Sequence, residues 1–357
     1  FENIAESYII NENLNQSEEY IDKALYYAEK YFLEHKKAKN LYLRGIVHMA
    51  KGEYPIAQQF LLSANVIFIK DNKYEETINT FVNLGKISKK LKAYYSSLSY
   101  FQQAETVYKG NNVGDDFLLG QIYYYIACVN FELENIPEAI NYSYLAKEKF
   151  KQMDDEKEYA KTLFLLAEEY KKRGDIDNAI KYSQKTLSVY RKLDDVVNIA
   201  KIENNLGKLF FEFDNIEESF IHLNKAKELR LKLKDSNIIE TLVNICENYI
   251  KLKDVSNSRK ILQEIMERID EGNDRTLVYY YLLKFRIDML ESNKKEAEST
   301  LISALSFVKN MDYVKEIGDI SIILGKFYID NKRDKEAAKY LNEGVNIFKK
   351  IGILKEI

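Results

Sequence analysis

Small and apolar residues recur along this chain at helical spacing, and the whole pattern repeats after about 40 residues. In the segment LYLRGIVHMAKGEYPIAQQFLLSANVIF, Gly45, Gly52, Ala57, Leu61 and Ala64 match the small and apolar positions of a tetratricopeptide helix pair. With Gly45 taken as the eighth position of its repeat, the equivalent residues, 39 to 42 apart, are Ala5, Gly45, Gly85, Ala127, Ala167, Gly207, Cys246, Phe285 and Gly325. The register therefore holds along the chain.

A second small position follows each eighth position by 12 residues. It is occupied in the nine repeats by Ser17, Ala57, Ser97, Ala139, Ala179, Ser219, Ser258, Ala297 and Ala337. Small side chains at this spacing let two helices pack closely. Pro55 and Pro137 both lie ten residues after the eighth position, where the second helix begins and a missing amide donor costs little.

This register predicts an all-α fold, a right-handed superhelix of about nine tetratricopeptide-like helix-turn-helix pairs in one domain over residues 1–357. The usual repeat has about 34 residues. The longer period here predicts either an extra helical turn in each pair or longer connections. The predicted pairs cover approximately residues 1–34, 35–74, 75–109, 117–154, 155–194, 195–234, 235–272, 273–312 and 313–357.

One insertion, KGNNVGDDFLLG over residues 109–120, accounts for the longest spacing and has the composition of a turn. It predicts a solvated loop. Asp115 and Asp116 lack the alternating oxygen ligands and closing glutamate of a calcium loop, so no metal site is expected there.

Composition narrows the classes of function. The 53 basic and 56 acidic residues give a formal net charge of −3, so the chain as a whole has no electrostatic bias toward nucleic acid or an anionic membrane. No apolar stretch is long enough for a membrane span, and no secretory leader is recognisable, so a cytoplasmic location is expected. Cys128 and Cys246 lie three repeats apart and are expected to fill the core as free thiols.

Catalytic chemistry is not predicted. His35, His48 and His222 fall in different repeats and registers, with no plausible catalytic partner by spacing. The chain has no phosphate-binding GxxxxGKS/T, GxSxG, HExxH or CxxC motif, so we expect no enzyme, no catalytic residue, no cofactor and no metal. The tyrosine triplets, at residues 123–125 and 279–281, fit helix packing better than nucleic-acid stacking, which needs interleaved basic residues.

Asparagines mark the surface expected to bind ligand. First helices should line the concave face, and the sixth position there carries Asn83, Asn205 and Asn244, with Asn204 and Asn248 close by. Asparagine is a poor helix former, but its carboxamide offers both a donor and an acceptor to an extended peptide backbone. The alternative is a solvated face in an asparagine-rich protein.

Basic residues extend this prediction. Lys201 and Lys208 flank Asn205 on the same helix face and are candidates to bind an acidic group of the peptide. Arg44 occupies a seventh position that is normally apolar. Either its stem is buried or its charge projects into the groove, and both readings remain open.

The register and the motifs FVNLGKISKKL, IENNLGKLFFEFDNIEESF and LVNICENYIKL resemble the RRNPP family of bacterial quorum-sensing receptors, which comprises the Rap, Rgg, NprR, PlcR and PrgX types. The likeness covers the whole chain and is greatest to the NprR type. In that type an N-terminal helix-turn-helix domain precedes the repeats, and such a domain is absent from this chain. The first repeat has only four residues before its eighth position, Ala5, so its opening helix also reads as clipped.

The resemblance implies a cytoplasmic receptor for a short re-imported signalling peptide, which changes oligomeric state and acts on DNA only through the missing N-terminal domain. It implies that the inward asparagines hold the peptide backbone. Two alternatives stay open: a Rap-type inhibitor that binds a response regulator of the sporulation phosphorelay, and a generic tetratricopeptide scaffold. A scaffold of the carboxylate-clamp kind is disfavoured, since the inward Lys39 and Lys86 do not suggest a complete clamp.

Overall fold

A computed structural model describes residues 1–111, 113–269 and 274–352. Every regular element in these ranges is an α-helix, and the helices form nine consecutive pairs, which confirms the predicted all-α, tetratricopeptide-like fold. Contacts divide the chain into two compact units, Phe1–Leu193 (unit 1) and Asp194–Ile357 (unit 2).

Unit 1 contains five of these pairs. Its helices are α1 (Glu2–Ile10), α2 (Leu14–Lys30), α3 (Glu34–Ala50), α4 (Tyr54–Lys70), α5 (Tyr74–Lys90), α6 (Tyr94–Asn111), α7 (Asp116–Glu132), α8 (Ile136–Gln152), α9 (Glu156–Arg173) and α10 (Ile176–Lys192).

Unit 2 contains the other four pairs. Its helices are α11 (Val196–Glu212), α12 (Ile216–Leu233), α13 (Ile238–Lys251), α14 (Val255–Met266), α15 (Asp274–Leu290), α16 (Lys294–Asn310), α17 (Val314–Asp330) and α18 (Asp334–Lys350).

Longer helices, rather than longer connections, produce the period near 40. Helices α3, α4 and α5 each have 17 residues and are joined by turns over residues 51–53 and 71–73. Most turns contain one residue with positive φ, and 13 such residues in the described chain are not glycine, among them Asn72, Asp194 and Lys234. Most of these turns therefore form without the glycine and proline that normally mark a turn, although Gly52 and Gly174 supply the positive φ in two of them.

The small residues 12 positions after each eighth position let the two helices of a pair pack closely, as predicted. The nine residues that follow the eighth positions by 12 are at most 3% exposed. Where the residue is serine, its hydroxyl can donate back to the eighth-position carbonyl, as Ser97 Oγ does to the Gly85 oxygen at 2.8 Å and Ser219 Oγ to the Gly207 oxygen at 2.7 Å. These bonds satisfy buried hydroxyls while the helices stay close.

Two further predictions concern the prolines and the loop over residues 109–120. Pro55 and Pro137 lie in the first turn of α4 and α8, as predicted. The predicted loop over residues 109–120 is wrong for most of its length, because α6 continues to Asn111 and α7 starts at Asp116. Asp115 caps α7 by accepting a hydrogen bond from the Leu118 amide at 2.8 Å, so local capping shortens the connection.

Cys128 and Cys246 are buried free thiols, as expected. In the described ranges, no helix has the combination of length and apolar character that crossing a membrane requires.

A buried carboxyl group makes unit 1 sensitive to pH. Glu169 on α9 is fully buried, and its Oε1 atom accepts a hydrogen bond from Ser143 Oγ at 2.7 Å. Its Oε2 atom has no partner in the described chain. Burial raises the pKa of Glu169 to about 8, although the Ser143 hydrogen bond acts in the opposite direction. The side chain is therefore mostly neutral at pH 7.

We expect Glu169→Gln to remove part of the pH dependence of stability. The folded pKa lies above the ordinary value of 4.5, so the stability contributed by Glu169 is complete below that pH and is lost as pH rises to about 8. Between pH 6 and 9 the wild-type protein should lose on the order of 2 kcal/mol relative to the glutamine variant. Urea unfolding at both pH values measures this, and Glu138→Gln on exposed α8 surface controls for the lost charge. An equal loss of stability between pH 6 and 9 in the wild-type protein and in Glu169→Gln would contradict this prediction.

Candidate functional site

The best-supported ligand surface lies where the first helices of two consecutive pairs in unit 2, α11 and α13, contact each other. We call it the α11–α13 face and define it by Asn205 and Lys208 on α11 and Glu240, Asn244 and Glu247 on α13. Asn205 and Asn244 are both half-buried. The two predicted carboxamides are therefore carried by rigid helices and remain partly accessible to a ligand.

A chain of hydrogen bonds orients one of these asparagines. Asn244 Nδ2 donates to Asn204 Oδ1 at 3.1 Å, and Asn204 Nδ2 donates to Glu240 Oε1 at 3.2 Å. Asn204 is fully buried, so it positions Asn244 instead of reaching a ligand itself. The Asn205 carboxamide has no hydrogen-bond partner among the described residues. Asn205 keeps its donor and acceptor, and Asn244 keeps its acceptor.

Glu240 is anchored from a second side by a buried arginine. Arg230 on α12 is 4% exposed, and its Nη2 atom lies 3.4 Å from Glu240 Oε2. Arg230 Nη1 also donates to Thr241 Oγ1 and to the Asn237 carbonyl oxygen, each at 2.7 Å. This network fixes the start of α13 and, through Glu240, the Asn204–Asn244 pair. Sequence reasoning missed both Arg230 and Glu240, because neither repeats at its register position in other pairs.

Lysines flank the face as predicted. Lys208 Nζ lies 3.7 Å from Glu240 Oε1, with the lysine side chain 41% exposed. This long contact leaves its ammonium accessible to a further anion. Lys201 is an exposed residue one helical turn before Asn205 on α11.

A small pocket opens on the same face. It has a volume of about 180 Å³ and is lined by Lys208, Phe211, Glu212, Leu223, Asn244 and Glu247. Glu247 forms an ion pair with Arg286 on α15. The pocket therefore combines apolar walls with an asparagine and an ammonium group at its edge, and its volume suits one side chain of a larger ligand.

The structure places Asn248 away from this opening. It is fully buried and its Nδ2 atom donates to Ser219 Oγ at 2.8 Å, in the small-residue contact between α12 and α13. Its Oδ1 atom is buried without a partner in the described chain. In this conformation Asn248 contributes to packing and does not present its carboxamide to the face.

The two remaining site residues lie in unit 1. Asn83 is 8% exposed, and its Nδ2 atom donates to the Tyr42 hydroxyl at 2.9 Å. Arg44 packs its guanidinium 5.0 Å from the Phe60 ring centroid and pairs with Asp22 at 2.9 Å. Of the two readings of Arg44, the structure therefore favours the buried stem. Both side chains are committed to neighbours within unit 1.

Two histidines differ from the prediction that no histidine has a partner. His222 Nδ1 lies 2.6 Å from Glu203 Oε2, and His48 Nδ1 lies 2.5 Å from Glu53 Oε2, so two of the three histidines do have a carboxylate partner. Each imidazole also stacks on a phenylalanine, Phe210 or Phe60. Stacked and held by helix neighbours, these pairs act as packing elements. The described residues contain no cluster of three side chains able to hold a metal ion.

Comparison with known proteins agrees with this architecture. The tetratricopeptide-repeat family matches residues 158–232. The transcriptional activator NprA of Geobacillus stearothermophilus is 21% identical over 253 residues, which cover 69% of this chain and 62% of that protein. The chain thus spans less than two thirds of the length of this curated relative.

Solved structures with a similar fold extend over nearly the whole chain. The apo form of the quorum sensor NprR from B. thuringiensis is 16% identical with a TM-score of 0.69, and 97% of each chain is covered. NprR in complex with its cognate peptide NprX is 16% identical with a TM-score of 0.51, covering 98% of this chain and 97% of that one. The predicted resemblance is confirmed: this chain is a tetratricopeptide-like repeat protein that resembles the RRNPP receptors.

Proposed function

We propose that this chain is the peptide-binding regulatory part of a cytoplasmic quorum-sensing transcriptional regulator, and that a short re-imported signalling peptide binds to the α11–α13 face. The observation that carries the proposal is the pair of carboxamides on this face, Asn205 without a protein partner and Asn244 oriented by Asn204. A solved NprR structure holds the peptide NprX in a similar fold, which supports this class of ligand.

The geometry favours a peptide bound mainly through its backbone. An extended peptide offers an N–H and a C=O group at each residue, and a carboxamide can bind both at once. Such contacts provide affinity without reading side chains. The neighbouring pocket of about 180 Å³ would then supply specificity for one apolar side chain, against Phe211 and Leu223. Lys208 at its edge would bind an acidic group.

Regulation follows from the repeat architecture. Each helix pair contacts mainly its neighbours, so small rotations between pairs can accumulate when a ligand bridges two of them. Peptide binding would in this way change the surface offered to a second copy of the chain and so alter the oligomeric state. On α17, Tyr328 is 2% exposed and packs within unit 2, whereas Ile329 beside it is 50% exposed and available to a second copy. DNA binding would require a domain outside this chain.

Titration calorimetry with the short peptide encoded beside this gene tests the proposal, and light scattering of the same samples reports the oligomeric state. We expect micromolar or tighter binding with one peptide per chain and a change in scattering mass at saturation. A scrambled peptide of the same composition is the control. No binding of the encoded peptide would contradict the proposal and favour a response-regulator partner or a scaffold, and binding without a change in mass would contradict the coupling to oligomeric state.

A further inference from the structure

Unit 1 contains a second pocket, of about 480 Å³, that the peptide proposal does not use. It opens where the ends of α3, α5 and α7 meet the starts of α4 and α6. Its apolar walls are formed by Met49, Tyr54, Ile87, Tyr94 and Tyr125. The volume lies in the range of about 300–1,000 Å³ that is usual for small-molecule sites.

The charges around this pocket are unbalanced. Four lysines line it, Lys86, Lys89, Lys90 and Lys92, against a single lining carboxylate, Glu132. The ion pairs found in the described chain include none of these four lysines. The pocket therefore presents an excess of positive charge that no protein carboxylate neutralises at contact distance.

Several other lysines of unit 1, unlike those of the pocket, form ion pairs with carboxylates. Lys109 pairs with Glu105 at 2.6 Å and Lys149 with Asp116 at 2.7 Å. Lys39, the inward lysine of α3, pairs with Glu2 at 2.5 Å. The four pocket lysines, which lie at the end of α5 and in the turn that follows it, have no such partner among the described residues.

Lys86 is the best placed of the four to bind an anion. It is half-buried, and its ammonium lies 5.0 Å from the centroid of the Tyr125 ring, which itself stacks on Phe101 at 5.2 Å. Burial lowers the pKa of Lys86, and the charge of Glu158 only partly offsets this. Glu158 pairs with Lys161 at 2.5 Å. An anion in the pocket would supply the partner that the buried ammonium lacks.

We propose that this pocket binds a carboxylate carried on an apolar body, with the carboxylate at Lys86 and Lys90 and the body against Tyr54, Tyr94 and Tyr125. The aromatic walls accept a flat or branched hydrocarbon group, while the surplus of ammonium groups selects for negative charge. The carboxylate could come from a free organic acid or from the C-terminal residue of another chain. This site is independent of the α11–α13 face, since every residue in it belongs to unit 1.

The probes that test it are 4-phenylbutyrate, for a free acid, and N-acetyl-Leu-Phe, for a chain terminus, each beside its neutral amide. Binding to the whole chain is followed by calorimetry and by tyrosine fluorescence. Both acids are expected to bind at least about tenfold more tightly than their amides, a difference of about 1.4 kcal/mol. Tighter binding of N-acetyl-Leu-Phe would identify a chain terminus as the source, and tighter binding of 4-phenylbutyrate a free acid.

Matched lysine variants locate the site. Lys86→Met keeps most of the aliphatic stem and should weaken acid binding by about tenfold, whereas Lys73→Met, at an exposed lysine just before α5, should leave it unchanged. Lys90→Ala, at the exposed rim, should weaken it about threefold without a risk to folding. Equal binding of acids and amides, no binding of either acid, or full affinity in Lys86→Met with an unchanged melting temperature would overturn the proposal.

Discussion

Replacing Gly207 with alanine is expected to lower the free energy of unfolding of unit 2 by about 1–3 kcal/mol. A Cβ atom at Gly207 would lie 2.5 Å from Leu223 Cγ and 3.2 Å from the Ser219 carbonyl oxygen. Leu223 is fully buried, so it cannot swing away without displacing the core, and the backbone of α12 would have to move outward. Urea unfolding followed by circular dichroism measures the loss.

The matched control is Gly110→Ala. Gly110 lies within α6, and an added Cβ would meet nothing within 4 Å. Alanine is a better helix former than glycine by about 0.8–1 kcal/mol, so this variant should be as stable as the wild-type protein or more stable. Similar changes in both variants would show that helix propensity, and not close packing of the eighth position, determines the result.

Replacing either Asn205 or Asn244 with alanine is expected to weaken binding of the signalling peptide by about 1–3 kcal/mol, or roughly 5- to 140-fold. Each carboxamide would bind a peptide group that loses its water on binding, and alanine would leave that group unsatisfied. Calorimetric titration with the encoded peptide gives both values.

Asn342→Ala is the control for these two variants. Asn342 is an exposed residue on α18 of the same unit, so its loss removes a carboxamide without touching the α11–α13 face. The three variants should have similar urea unfolding midpoints. Weakened binding in Asn342→Ala would point to a general effect on unit 2 and would count against the assigned face.

The fold was predictable from sequence because small residues leave a periodic trace. Gly45, Gly85 and Gly207 each face a large residue 16 positions later, and Gly325 faces Leu341 at the same spacing. Helix ends were harder to predict, because turns pass through left-handed residues such as Asn72 and Asp194 in place of glycine. The stretch 109–120 misleads in the opposite way, because it has the glycines and asparagines of a turn although Gly110 and Gly120 lie within helices.

The site was only partly predictable. A register assigns a residue to a helix face, and this brought Asn205 and Asn244 together correctly on neighbouring helices. It cannot separate an accessible carboxamide from one used in packing, as with Asn204 and Asn248, since a small rotation of the helix decides between them. Nor could it find the pairing of Arg230 with Glu240, because long side chains reach across helices at distances that no local spacing encodes.

The most direct test of the central claim is the affinity of the Asn205→Ala/Asn244→Ala double variant for the signalling peptide, measured by titration calorimetry against the wild-type chain. If the two carboxamides hold the peptide backbone on the α11–α13 face, their effects should add to a loss of about 2–6 kcal/mol, which is roughly a 30- to 20,000-fold weaker affinity. Wild-type affinity in a folded double variant would contradict the claim and place the peptide elsewhere on the chain.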